Sequence, residues 1–311
     1  MNLRTDLAVE AGEYRQLGEA DGFLETVSAG EIPVSRVRIV NENAARLTGK
    51  PMGNYATVFF NGAFSDDELF DKAVDRTAEV LREFLKGAKN VLAVGLGNAE
   101  MTADALGPKV IDRLIISRHL KDQLPELYRE LALGNLSALR PGVLGQTGIE
   151  TAKLIRAAAD AVNPDAILVF DALASRRVKR LCATVQISDT GITPGSGVGN
   201  HRSRIDRNSM EVPVISIGVP TVVDAATLAV DALQKIQDRM GEEGKAMASS
   251  WAEDEGQELR EALGGYENNL VVTPQDIDAL IERTAKLLSE ATNMAVHGGL
   301  DREQIDALTG V

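Results

Sequence analysis

Cysteine occurs once in this chain, at Cys182, and histidine three times, at His119, His201 and His297. One cysteine excludes an intrachain disulfide and any zinc site built from a cysteine cluster; in a β-like run it reads as a small core residue before it reads as a nucleophile. The histidines are scattered, with neither an i,i+4 pair nor an HExxH pattern, so they are expected on the surface or in the core and no histidine-based metal site is expected. Long apolar runs are missing too. No stretch approaches the roughly 18 apolar residues of a spanning helix, and Met1 to Ala20 carries charges throughout without the apolar h-region of a secretory signal. The expectation is a soluble cytoplasmic protein that makes no membrane contact. Positive charge is also in deficit. A formal net charge of −13 repels a polyanion, so direct nucleic-acid binding is not expected, although such a surface suits basic or DNA-associated protein partners.

What the chain does have is apolar content, 44% of 311 residues, which is ample for a continuous core. Residues 1–34 are acidic and show no sustained period, which predicts an exposed N-terminal arm. Val37 to Val40 and Tyr55 to Phe60 read as strands, and Ser65-Asp-Asp-Glu68 reads as a capping box opening a helix with Leu69, Ala73, Val80, Leu81, Phe84 and Leu85 inward. Strands follow at Val91 to Val94, Ile167 to Phe170, Thr184 to Ser188 and Val212 to Gly218. Helices are expected from Asp104 to His119, after Thr147-Gly-Ile-Glu150, after Thr221-Val-Val-Asp224, and from Thr273-Pro274 onward. This alternation predicts an α/β fold, a three-layer sandwich around a twisted central sheet that is largely, though not necessarily wholly, parallel. Residues 241–265, rich in charge and small side chains, are expected to be an exposed insertion or a lid.

Two aspartates follow two of these strands, Asp104 after Gly95-Leu-Gly-Asn98 and Asp171 after Ala166-Ile-Leu-Val-Phe170. Each is placed where a strand's carboxyl end opens into the ligand crevice of an α/β sheet. Two carboxyls in one crevice can divide acid and base roles and hydrolyse an amide with no metal and no nucleophilic side chain. Gly95 and Gly97 do not complete a dinucleotide fingerprint, because Glu100 stands where the third glycine belongs and no Walker lysine follows. Their backbone, with Asn98, is a candidate oxyanion or substrate contact, as is the loop Gly191 to Gly199; the plainer reading is a tight strand exit. Ser175 lacks a G-x-S-x-G elbow and an evident histidine partner, so it reads as a structural or substrate-contacting serine. Asp104 and Asp171 as oxygen ligands of a metal, or an acidic surface that only binds basic proteins, are the competing readings.

Six segments then point to a family: Arg4-Thr-Asp-Leu-Ala-Val-Glu10; Gly95-Leu-Gly-Asn98 with Asp104-Ala-Leu-Gly-Pro108; Pro141 to Thr151; Asp171-Ala-Leu-Ala-Ser175; Ser188 to Asn200; and Gly218 to Asp224. Together they resemble the germination proteases of spore-forming bacteria, and the resemblance covers nearly the whole chain. It implies a cytoplasmic endopeptidase of the forespore or spore core, made as a zymogen and commonly homotetrameric. Its substrates are small acid-soluble spore proteins, and its two essential aspartates match Asp104 and Asp171. No cofactor is implied. A more distant resemblance to the hydrogenase-maturation endopeptidases implies a fold of that type, phosphorylase/hydrolase-like, and acidic residues that can engage nickel. The targets of the germination proteases resemble Thr-Glu-Phe/Ile-Ala-Ser-Glu, cut after the first Glu, and Thr5-Asp-Leu-Ala-Val-Glu10 follows that order. The implied division is therefore a short propeptide, residues 1–6, cut between Asp6 and Leu7, and a single peptidase domain, residues 7–311.

Overall fold

The computed structural model describes residues 5–194, 203–232, 239 and 270–309. The segment 241–265, and the glycine-rich loop from 195 to 202, lie outside the described residues. Among those described, strands β1 (Phe23–Ser28), β2 (Val34–Ile39), β3 (Gly53–Phe59), β4 (Asn90–Gly95), β5 (Asn135–Leu139), β6 (Ala166–Ser175), β7 (Thr184–Ser188), β8 (Val214–Asp224) and β9 (Val271–Val272) form one sheet. Its order is β1-β2-β3-β7-β8-β6-β4-β5, with β9 paired to the end of β8. The strands β5, β4, β6 and β8 are parallel neighbours, while β1, β2, β3 and β7 form an antiparallel extension that joins β8. The expected α/β class is thus found, and the parallel half presents the carboxyl ends of β4 and β6 side by side.

Helices cover both faces, as a parallel sheet requires. On one face, α3 (Asp67–Leu85), α4 (Leu106–Ile111) and the helix Ile277–Val296 pack on Ala93, Leu168, Phe170, Ile215 and Ile217. On the other, the helix Thr151–Val162 packs through Ile155 and Ala159 on Leu92, Val94, Ile167 and Val169. Further along that face, α1 (Ala8–Arg15) and α2 (Glu42–Thr48) cover Val37, Ile39, Tyr55 and Leu173. No helix among the described residues is long and apolar enough to cross a membrane.

Four local expectations are corrected. The expected exposed arm is in part buried: Leu7 and Ala8 are fully buried, Val9 and Ala11 nearly so, and Phe23–Ser28 is a paired strand. Its apolar residues come in a short consecutive run, so they carry no helical period, yet burying Leu7 alone contributes about 2 kcal/mol. The α3 cap lies one residue later than expected, since Asp66 accepts the Leu69 N–H. The helix expected from Asp104 to His119 is instead a 3₁₀ turn, Thr102–Asp104, followed by α4, which ends at Ile111. Beyond it, tertiary partners replace helical ones: Asn293 Oδ1 accepts the Ile115 N–H at 3.0 Å and His297 Nε2 bonds the Ile115 carbonyl at 2.9 Å. Finally, Thr221 to Asp224 belongs to β8, and Asp224 alone caps the helical turn that begins at Ala225, accepting from the Thr227 N–H and hydroxyl.

Candidate active site

Strand β6 organises the site between Phe170 and Ala174. Leu96, the residue after β4, donates its N–H to the Phe170 carbonyl at 2.8 Å. The Ala172 N–H donates to Oδ1 of Asp171 at 3.0 Å. Ala174 bonds Asp6 twice, its carbonyl accepting the Asp6 N–H at 2.8 Å and its N–H donating to the Asp6 carboxylate, also at 2.8 Å. The exit of β4, the Asp171 carboxyl and the Asp6–Leu7 segment therefore all meet β6 within five residues, a length of about 13 Å.

Asp104 is held against the same strand exit. Oδ2 of Asp104 accepts the Asn98 N–H at 2.7 Å. Gly97 has φ +110°, and a Cβ there would lie 2.0 Å from the Asp104 carbonyl oxygen. Gly107 is as tightly placed, since its Cβ would fall 2.3 Å from the Leu96 carbonyl oxygen and 2.7 Å from that of Phe170. These glycines let the turn that carries Asp104 press onto the ends of β4 and β6. A register shift in β6 against β8 after Leu173 leaves Thr221 outside the pairing, and its hydroxyl donates to the Ala103 carbonyl at 2.7 Å, tying the Asp104 turn to β8.

The candidate oxyanion donors fare differently. The Leu96 N–H goes to Phe170 and the Asn98 N–H to Asp104, so the Gly95–Asn98 segment holds the Asp104 turn rather than turning those two amides to a ligand. Ser175 is fully buried and its hydroxyl donates to the Arg177 carbonyl at 3.2 Å, which fixes the chain leaving β6. Cys182 is buried in the core, and burial pushes its thiol up to about 12, so it stays protonated at neutral pH. Among the described residues no group of three or more His, Cys, Asp or Glu side chains could hold a metal ion. Each of Asp104 and Asp171 already has one carboxylate oxygen accepting a backbone N–H.

Two residues that no sequence motif singled out, Gln186 and Lys50, hold the N-terminal segment together with Glu10, the last residue of its motif. Gln186 Nε2 donates to the Asp6 carbonyl oxygen at 3.1 Å while its Oε1 accepts the Ala8 N–H at 2.7 Å. The Lys50 ammonium stands 3.8 Å from the Asp6 carboxylate. Glu10, almost fully buried, accepts from the Arg176 N–H at 2.7 Å, the Arg177 N–H at 3.2 Å and the Thr5 hydroxyl at 2.6 Å, with Arg180 Nε 3.8 Å away. Only the order Thr-Asp-Leu-Ala-Val-Glu hints that this stretch is gripped along its length.

Fold and site define an α/β protein that lays an extended peptide segment on the last residues of a parallel strand, with Asp171 three residues earlier on that strand and Asp104 in the 3₁₀ turn held at the exit of β4. The family model described as germination protease matches residues 6–251. The chain is 41% identical to the germination protease of Clostridium tetani, with 99% of both chains covered. It is 40% identical to that of Caldanaerobacter subterraneus subsp. tengcongensis, with 99% of this chain and 98% of the relative covered. The chain belongs to the germination protease family and is an endopeptidase. Among solved structures, it is similar to the NiFe hydrogenase maturation protease HycI from Thermococcus kodakarensis, at 17% identity and a TM-score of 0.34, over 68% of this chain and 97% of that one.

Proposed function

We propose that this endopeptidase starts the degradation of small acid-soluble spore proteins during germination, and that it is made as a zymogen which cuts itself between Asp6 and Leu7. The observation that carries this reading is the docking of Asp6 on Ala174 by two hydrogen bonds, three residues beyond Asp171 on the same strand. In this reading, a segment that follows the order of a substrate sequence lies on the strand that carries Asp171 of the same chain. Asp104 and Asp171 share the chemistry. One carboxylate takes a proton from a water whose oxygen adds to the carbonyl carbon, and the carbonyl π pair moves onto its oxygen. When that pair re-forms the double bond the C–N bond breaks, and the leaving nitrogen takes the proton held by the other carboxyl. The products are a carboxylate on the acid and a free amine on the next residue. No protein nucleophile and no cofactor takes part in these steps. The enzyme acts in the cytoplasm of the forespore and the spore core, as a homotetramer.

Incubating the purified, processed chain with a small acid-soluble spore protein tests the activity. Fragments cut after an acidic residue are expected. A stable, uncut complex would instead identify a binding protein and overturn the reading.

A further inference from the structure

We propose that Gln186 is a further catalytic residue, whose side-chain N–H stabilises the oxyanion formed at the bond being cut. The proposal rests on the reading of Asp6–Leu7 as the bond that the chain cuts in itself. Nε2 of Gln186 lies 3.1 Å from the Asp6 carbonyl oxygen, the atom that receives the π pair when water adds to the carbon. A donor already in place at that oxygen needs no reorganisation as the negative charge develops, which is the condition under which such a contact accelerates acyl transfer.

The orientation of this amide is fixed by its other end. Ala8 N–H can only donate, and it lies 2.7 Å from Oε1; the Asp6 carbonyl can only accept. One orientation of the Gln186 amide satisfies both, and in it the NH₂ group faces the reacting oxygen. The two contacts flank the Asp6–Leu7 bond, so the side chain grips main chain on both sides of it without reading any particular side chain. A donor of this kind serves a substrate of the same backbone shape as well as it serves the chain's own segment.

Position in the sheet supports the role. Gln186 is directly opposite Gly218, and Gly218 is directly opposite Asp171, so Gln186 and Asp171 project from the same face in one cross-strand row. Gly218 puts no side chain between them; a Cβ there would lie 2.4 Å from Leu173 Cδ1. Leu173 fills that place and packs in one cluster with Leu7. The bond is thereby laid on the face of the sheet that carries Asp171.

The test uses the full-length chain and follows the new N-terminus at Leu7 by mass spectrometry, beside peptide cleavage by the processed enzyme. Gln186→Leu and Gln186→Glu both remove the donor, the first without charge. Each is expected to slow self-processing about 100-fold, and to lower kcat on a peptide about 100-fold with KM within about threefold of the wild type. Gln186→Asn keeps the amide but shortens its reach, and covers the case in which the other variants fold poorly; its kcat should also fall at least tenfold. Unchanged kcat in a folded variant, or a loss confined to KM, assigns Gln186 to holding the segment alone and overturns the proposal. If Asp104→Asn processes as fast as the wild type, the parent reading fails and takes the proposal with it. That outcome is distinct from a Gln186 failure, in which Asp104→Asn is dead and Gln186→Leu is not.

Discussion

Asp6 is the residue whose surroundings say most about selectivity. Its carboxylate receives the Ala174 N–H and faces the Lys50 ammonium at 3.8 Å, so under the proposed self-cleavage the acid before the cut meets one main-chain donor and one cation. A partly exposed ion pair of this geometry contributes about 1 kcal/mol, or about fivefold. Lys50→Met should therefore reduce the preference for Glu over Gln at that position of a peptide about fivefold while cleavage continues; an unchanged ratio of kcat/KM would remove Lys50 from substrate recognition. Cys182 makes the opposite case. It is buried among core residues with its thiol held neutral, so Cys182→Ala should lower stability by about 1 kcal/mol and leave turnover intact. A folded but inactive Cys182→Ala protein would redirect the chemistry to a thiolate. Asp104 and Asp171 are legible in the sequence because each follows a strand-like run, whereas Gln186 and Lys50 are not. Nothing local distinguishes a catalytic glutamine in mid-strand from a structural one, and only the fold brings residues 6 and 186 together.

Among the elements, those with a strong period are readable and those held by tertiary partners are not. The amphipathic α3 appears within a residue of its expected start. By contrast, the stretch after α4 reads as helix because Leu114 and Ile115 continue the apolar pattern, yet Asn293 and His297 take over the polar groups of Ile115. His297 is a second fastening point: it accepts the Gly134 N–H at Nδ1, so its Nε2 carries the proton shared with Ile115. Burial holds its pKa below the ordinary 6.5, so the folded state binds fewer protons than the unfolded one. Its contribution is fully present above pH 6.5 and is lost as pH falls from there through the lowered folded value. Chemical denaturation across this range should show stability falling toward acid, and His297→Gln should flatten that part of the profile. A profile identical in the variant would mean that other groups cause the acid loss. The burial of the N-terminal segment is hidden from sequence for a related reason: Leu7, Ala8 and Val9 are consecutive, and only the sheet face they cover shows why they are apolar.

At the scale of the molecule, one sheet joins a parallel half that bears the aspartates to an antiparallel half that anchors the chain's beginning through β1, β2 and β3. The class of this architecture follows from the alternation of strands and helices, but the antiparallel extension is foreseeable only as a departure from full parallelism. Its order, β3 beside β7, depends on long-range pairing that no local pattern encodes. As a proposed homotetramer, the purified protein should show four times the mass of its 33.3 kDa chain by light scattering; a monomer at working concentration would remove the assembly and leave the peptidase reading standing. The central claim concerns Asp104 and Asp171 acting as a pair on a bond at the end of β6. Its most direct test is quantitative mass spectrometry of full-length wild-type, Asp104→Asn and Asp171→Asn chains under conditions that trigger processing, with circular dichroism to verify folding. The account predicts a new N-terminus at Leu7 in the wild type and a loss of about 1,000-fold or more in both variants. Near-normal appearance of Leu7 in either folded variant would contradict it.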